Sequence, residues 1–350
     1  MKIGFPLKRL TEGSAELFVP IGSKISKELP VFYNPVMKLN RDISILLLKQ
    51  FPKMTLCDLM AGTGIRAIRF ARELKYKSIT ANDISKNAIR LIKKNMKMNK
   101  VKFEVKNEDA DIFLLKSKGF DYIDVDPFGS SNFFLDSAIK RISRDGVLAI
   151  TNTDTAALTG TYEDACIRKY WALPKRDYMM HETGLRILIR KIQLIGMQYE
   201  KALFPIFSYF RDHYFRIYFK SVKGKKECGK IAKNHGMFNN SGPLWTGNLW
   251  DDKLANKIYF QALKDKSKMN FDNLLINFLK IIKEESKIDS VGFYDMHAIA
   301  KNKKIKVIMK KEGLIKKIKN DGYKVSETHF SGTGIRSNIS YDKLIRMINQ

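Results

Sequence analysis

The chain has 350 residues, 44% of them hydrophobic, which is room for two domains with separate cores. Lys and Arg number 64 against 36 Asp and Glu, a formal charge of +28 that implies a polyanionic partner, nucleic acid ahead of anionic membrane. No apolar run approaches ~20 residues, no signal-peptide core opens the chain, and the three scattered cysteines Cys57, Cys166 and Cys228 point to a reducing, cytoplasmic setting without a disulfide framework.

In chain order, the stretches 12–20 and Val31–Tyr33 read as short strands ahead of the main fold. Asn34-Pro35 is a helix start, with Asn as cap and Pro in the first turn, and the helix runs to about Gln50 with Arg41 near its beginning. Thr55–Leu59 is a strand that feeds the turn Met60-Ala-Gly-Thr-Gly64, and a helix follows from Ile65 to Leu74. Strand, glycine turn and helix form a nucleotide cradle, in which backbone N–H groups face the ligand. Lys77–Asn82 is the second strand and ends at Asp83, and Ser85 caps the next helix. Val101–Lys106 is the third, closing on Asn107-Glu-Asp-Ala110. Tyr122–Val125 is the fourth and Gly146–Thr151 the fifth. Strands alternating with helices predict a parallel, doubly wound sheet. Residues 199–210 and 214–220 then read as an antiparallel hairpin. The loop Asn239–Pro243 marks a boundary, giving a catalytic part, 1–237, and a basic C-terminal part, 238–350. In the latter, helices over 271–284, 295–300 and 309–318 precede strands at 323–325 and 328–330, a winged-helix-like pattern. Ten lysines between Lys301 and Lys324 would meet phosphates there. Trp245 and Trp250 are candidates for docking the two parts.

Two cofactor classes fit the first half. Gly62-Thr-Gly64-Ile-Arg-Ala67 matches a dinucleotide fingerprint, with Asp83 as the ribose acid. The same residues suit S-adenosylmethionine: Asp58 beside the glycine turn, Asp83 on the ribose hydroxyls, Asp109 and Ala110 beside the adenine, and Arg66 and Arg41 for the donor's carboxylate. The fourth strand separates the two classes. It ends in Asp126-Pro-Phe-Gly129. Pro127 ends the ladder and Gly129 allows a sharp turn, which leaves a carboxylate, a backbone carbonyl and an aromatic face at the sheet's carboxyl edge. Such a face stacks on a planar base, and the two acceptors hold the hydrogens of an exocyclic amine. A nucleobase amine is a poor nucleophile because its lone pair is delocalised into the ring, and acceptors aimed at its hydrogens favour the pyramidal form that attacks a methyl donor.

The chain resembles the tRNA (guanine-26-N2)-dimethyltransferase family. The resemblance rests on Phe32-Tyr-Asn-Pro-Val-Met-Lys-Leu-Asn-Arg-Asp42, Asp58-Leu-Met-Ala-Gly-Thr-Gly-Ile-Arg66, Asp124-Val-Asp-Pro-Phe-Gly-Ser130, Thr153-Asp-Thr-Ala156, Gly242-Pro-Leu-Trp-Thr-Gly247 and Thr328-His-Phe-Ser331. It implies a class I S-adenosylmethionine-dependent methyltransferase fold with a reversed last strand, acting on the N2 of a guanine in tRNA; apart from the resemblance, a monomer without a metal is expected. Residue by residue, it implies that Arg41, Arg66, Asp83, Asp109 and Ala110 bind the donor, that Asp126 and the Pro127 carbonyl receive the amine, and that Phe128 and Phe32 sandwich the base. His181-Glu182 is expected to be a structural pair, and Thr153-Asp154 to line the substrate. Many relatives carry clustered cysteines near the domain join, whereas here Lys225–Trp245 offers Cys228 and His235, too few for a closed zinc site.

Overall fold

The computed structural model describes residues 3–21, 29–305 and 309–348. Seven strands form its main sheet: β1 (Thr55–Asp58), β2 (Ser78–Asn82), β3 (Glu104–Lys106), β4 (Phe120–Val125), β5 (Ile142–Asn152), β6 (Lys201–Arg211) and β7 (Tyr214–Lys223). Their order is β3-β2-β1-β4-β5-β7-β6. The first five run parallel, and β7 lies antiparallel between β5 and β6. The strand order reverses between β1 and β4, which is where the carboxyl edge of such a sheet opens a crevice.

The helix after Asn34 begins as a 3-10 turn, Pro35–Met37, and continues as Lys38–Leu48. Asn34 caps it by accepting the Val36 N–H at 2.9 Å. Val31–Tyr33 is not a strand, because Val31 packs instead on Ala88 and Leu91. The N-terminal strands are a hairpin, Leu7–Glu12 with Ala15–Pro20. Asn95, on the helix Lys86–Met98, and Asn99, which caps its end, accept the N–H groups of Phe18 and Glu16 at 2.8 and 2.9 Å and so cover the hairpin's edge.

One hydrophobic core extends from the sheet into the C-terminal half, taking in Ala255, Ile258, Leu275, Phe278 and Phe330. The helix Asp252–Met269 was not apparent in the sequence, since its apolar residues are interleaved with lysines. Past Asn273–Glu285, the chain runs strand (Tyr294–Asp295), helix (Met296–Lys303), helix (Lys311–Asn320) and two strands (Val325–Thr328, Ser331–Ser337). The last strand lies between the other two, which is winged-helix topology. The wing strands sit later than their pattern implies. Thr328 Oγ1 and His329 Nδ1 bind Glu285 at 2.5 and 2.7 Å, and this holds His329 and Phe330 in the turn. A second, smaller core of Met296, Leu314, Ile318, Ile335 and Leu344 fills this unit.

Trp250 joins the two halves. Its indole N–H donates to the Ser208 carbonyl on β6 at 2.7 Å, and its ring meets His329 and the Arg336 guanidinium. Glu182 serves the same join: it is buried, and its Oε2 lies 2.6 Å from Arg336 Nη2 and its Oε1 2.9 Å from Arg186 Nε. His181 stacks on Phe210. Both residues of the pair have structural partners. Among the described residues, no helix is long and apolar enough to cross a membrane.

Candidate active site

β1 delivers Asp58 to the crevice, where its Oδ2 accepts the Ala67 N–H at 3.2 Å. Burial pushes its carboxyl up to about 7, against the opposing pull of the Arg66 guanidinium. In the glycine turn, Gly62 has φ +53° and Gly64 φ +79°. A Cβ on Gly62 would stand 2.9 Å from the Phe32 carbonyl oxygen, so glycine lets the segment before the first helix cross close over the turn. Gly64 serves packing: a Cβ there would meet Ile92 at 3.0 Å. At the end of β2, Asp83 Oδ2 accepts the Gly62 N–H and Oδ1 the Ser85 N–H, both at 2.8 Å. Burial raises its pKa, and those two bonds oppose the rise. Asp109 Oδ1 caps the helix Ala110–Lys116 through the N–H groups of Asp111 and Ile112.

Asp126 follows β4 at the same edge. Its Oδ2 is 2.5 Å from Arg66 Nη2, while Arg66 Nη1 donates to Asn40 Oδ1 and Ser44 Oγ and lies 3.3 Å from Asp124 Oδ2. Asp124, on β4, and Asp126, just past its end, are two apart, so an extended chain puts them on one side. Arg216, on β7, donates to both Asp124 oxygens at 3.0 and 2.6 Å and to Thr151 Oγ1 at 2.9 Å. Burial alone would raise the Asp124 carboxyl, but Arg216 and Arg66 hold it below the usual carboxylate range. The turn after Asp126 is braced from behind: Thr153 Oγ1 accepts the Gly129 N–H at 2.8 Å, and the Thr153 N–H donates to the Gly129 carbonyl. Asp154 accepts from Tyr170 and Lys169. Thr153 therefore braces the turn, and neither it nor Asp154 is among the residues lining the cavity at this edge.

These elements enclose a cavity of about 430 Å³ lined by Phe32, Met60, Gly62, Asp83, Asp109, Ala110, Asp126, Pro127 and Phe128, among others. A smaller cleft lined by Arg41, Asp58 and Arg66 shares Phe32, Met60, Gly62 and Asp126 with it. Arg41 reaches that cleft while bound on the other side. Its Nε and Nη2 grip Glu12 of the N-terminal hairpin, each at 2.6 Å. Phe32 and Phe128 meet edge to face with centroids 4.3 Å apart. A base between them needs roughly 7 Å, two stacking steps, so the rings must part to admit one.

The sequence did not single out Glu12, Asp124 or Arg216 as members of this site. Arg216 carried a signal, being a charge inside the apolar run Tyr214–Phe219, and Asp124 carried another in its period-two spacing from Asp126. His235 Nε2 lies 2.9 Å from Gln193 Oε1, and no group of three side chains that could hold a metal occurs among the described residues.

Sheet order, glycine turn and acidic strand ends together define a class I methyltransferase fold. Comparison with known proteins makes this specific. The family model for N2,N2-dimethylguanosine tRNA methyltransferase matches residues 13–240 and 233–349. A tRNA (guanine(26)-N(2)/guanine(27)-N(2))-dimethyltransferase from Aquifex aeolicus is 34% identical, covering 97% of this chain and 95% of its own length. A tRNA (guanine(26)-N(2))-dimethyltransferase from Methanocaldococcus jannaschii is 36% identical, covering 97% and 98%. The solved structure of Trm1 from Pyrococcus horikoshii with S-adenosyl-L-methionine superposes with a TM-score of 0.89 at 32% identity, covering 98% of this chain and all of that one. The chain belongs to the N2,N2-dimethylguanosine tRNA methyltransferase family.

Proposed function

We infer that the protein methylates the exocyclic N2 of guanine 26 in tRNA, once or twice, with S-adenosylmethionine as donor. The observation that carries this reading is the meeting of Asp126-Pro127-Phe128 with the glycine turn and the Asp83 and Asp109 strand ends on one cavity. The residues present fit the donor. Asp83, Asp109 and Ala110 line the cavity, where they would hold the ribose diol and read the adenine edge, and the cleft of Arg41, Asp58 and Arg66 offers cations for a carboxylate and an acid for an ammonium. Bound there, S-adenosylmethionine supplies an electrophilic methyl group. Arg66 neutralises one oxygen of Asp126, and the other accepts an amine hydrogen. The Pro127 carbonyl takes a second. With both hydrogens held, the nitrogen lone pair leaves conjugation with the ring. The amine becomes acidic only as its new C–N bond forms, so Asp126 need not be a strong base to take the proton. After one transfer an N–H remains for a second round. Phe32 and Phe128 hold a base drawn from its stack. Residues 1–237 carry this chemistry, and the basic residues 238–350 contact tRNA phosphates.

The test is methyl transfer from labelled S-adenosylmethionine to an unmodified tRNA transcript, with product nucleosides resolved. N2-methyl- and N2,N2-dimethylguanosine are expected, lost in Asp126→Ala and lost when guanine 26 is replaced. A methylated adenosine, or a product unaffected by Asp126→Ala, would refute the reading.

A further inference from the structure

The mouth of the cavity continues into a surface that catalysis does not use. Three residues after Phe128 the chain forms the 3-10 turn Ser131–Phe134. With three residues per turn, neighbouring side chains point in different directions. Phe134 lines the cavity and packs on the core, while Phe133 is 78% exposed. That exposure is not slackness. Ser130 Oγ lies 3.1 Å from Tyr170 Oη, Asn152 Nδ2 donates to Ser131 Oγ at 3.2 Å, and Asn132 Nδ2 donates to the Lys169 carbonyl at 3.0 Å. The turn is anchored on both sides of Phe133, which holds an uncovered aromatic ring beside the base-binding residues.

The same anchors bring in the helix Glu163–Tyr170 and the chain after it. This face is aromatic and basic by turns: Trp171 is 49% exposed, and Arg168, Lys169, Lys175 and Arg176 are exposed around it. Lys191 lies over the Trp171 ring. Glu163 and Asp164 are confined to the first turn of the helix, while Lys169 and Lys175 also pair with Asp154 and Asp177 at 3.0 and 3.6 Å. Aromatic rings interleaved with cations are the surface that unstacked bases and phosphates fit. In a chain of charge +28 this composition favours RNA over a protein partner or a second copy.

We propose that Phe133 stacks on a tRNA base flanking the target guanine, filling the gap left when that guanine enters the cavity, and that Arg168, Lys169, Lys175 and Arg176 receive the adjoining phosphates. The proposal rests on the reading of the site as a guanine methyltransferase. Drawing a base from its stack costs a few kcal/mol, and a ring already fixed at the mouth offsets part of this by restoring the stack. Phe133 is then a positioning residue for the acceptor.

Methyl transfer is measured for the wild-type, Phe133→Ala and Phe133→Trp proteins on three transcripts: intact, and abasic at either neighbour of guanine 26. On intact tRNA, Phe133→Ala should lower kcat/KM roughly 5- to 100-fold, the range of one base–aromatic stack, with S-adenosylmethionine affinity unchanged. Phe133→Trp should restore it, and one abasic transcript should abolish the difference between wild type and Phe133→Ala. Equal kcat/KM for Phe133→Ala and wild type on intact tRNA, no rescue by Trp, or a deficit that persists on both abasic transcripts overturns the stacking role while leaving the functional reading intact. A wild-type protein that methylates no tRNA overturns the functional reading itself.

Discussion

Two of the buried charge networks in this protein differ in what they leave open. At the join between the halves, Arg336 binds Glu182 and Glu285 and donates to the carbonyls of Ser290 and Gly292, while Glu285 also takes Thr328 and His329. The charged side chains there are at most 2% exposed. At the crevice, Arg216 and Arg66 bridge Asp124 and Asp126 in a similar way, but the last carboxylate is 23% exposed and lines the cavity. Nearby Asp58 is kept by burial near neutrality at about 7. A closed network fixes geometry. An open one, with an acid whose charge is unsettled and a cation shared between two carboxylates, can exchange partners with ligands.

Breaking the closed network should have the largest effect. Arg336→Met strands the charges of Glu182 and Glu285 and should destabilise the protein by about 3–5 kcal/mol, read as a lower urea midpoint. Glu285 sharpens the point. Burial would raise its carboxyl, but His329 and Arg336 hold it at about 2. Its contribution to stability is present above the unfolded carboxylate value and is lost as pH falls from about 4 through 2.

In the open network, Asp126→Asn keeps the shape of the turn and removes the charge. It should lower kcat about 10²- to 10³-fold with the urea midpoint nearly unchanged, measured by single-turnover methyl transfer. Comparable losses of stability in this variant and in Arg336→Met would erase the distinction between the two networks.

Asp58 should respond to pH in the opposite direction to Glu285. Its folded value is raised, so the folded protein binds a proton between about 4 and 7 that the unfolded chain has released, and stability falls as pH rises through that window. Asp58→Asn should remove this slope and gain roughly 1–4 kcal/mol at pH 8, while binding S-adenosylmethionine more weakly. Urea melts at pH 5 and 8 with calorimetric titration check both. The smallest effect belongs to the aromatic pair. Phe128→Leu should cost about 1–3 kcal/mol of base stacking, seen as a higher KM for tRNA with donor affinity unchanged.

Much of the site could be read before the structure because its parts are local. The glycine turn, the acids ending β1 and β2, and Asp126-Pro-Phe-Gly129 each declare themselves within a few residues. The sheet and its terminal hairpin followed from periodicity, with ends a few residues off. What stayed hidden is pairing over distance. Nothing near Arg41 shows that Glu12 will grip it, and Asp124 meets Arg216 from 92 positions away. The two phenylalanines were read as a sandwich, but a pattern of residues carries no ring separation, and here the rings touch. The wing strands were displaced because Thr328 and His329 answer to Glu285 rather than to their own alternation.

The antiparallel seventh strand has a consequence for assembly. Every acid at the catalytic edge is synthesised by Asp126, yet the guanidinium that settles Asp124 arrives with Arg216, after the chain has made β6 and turned back. β7 pairs with β5 on one side and with the edge strand β6 on the other. A nascent chain that has emerged only through β5 holds every residue expected to touch the donor, but not the guanidinium that pairs with Asp124. A product truncated before β7 is therefore left without the guanidinium that pairs with Asp124.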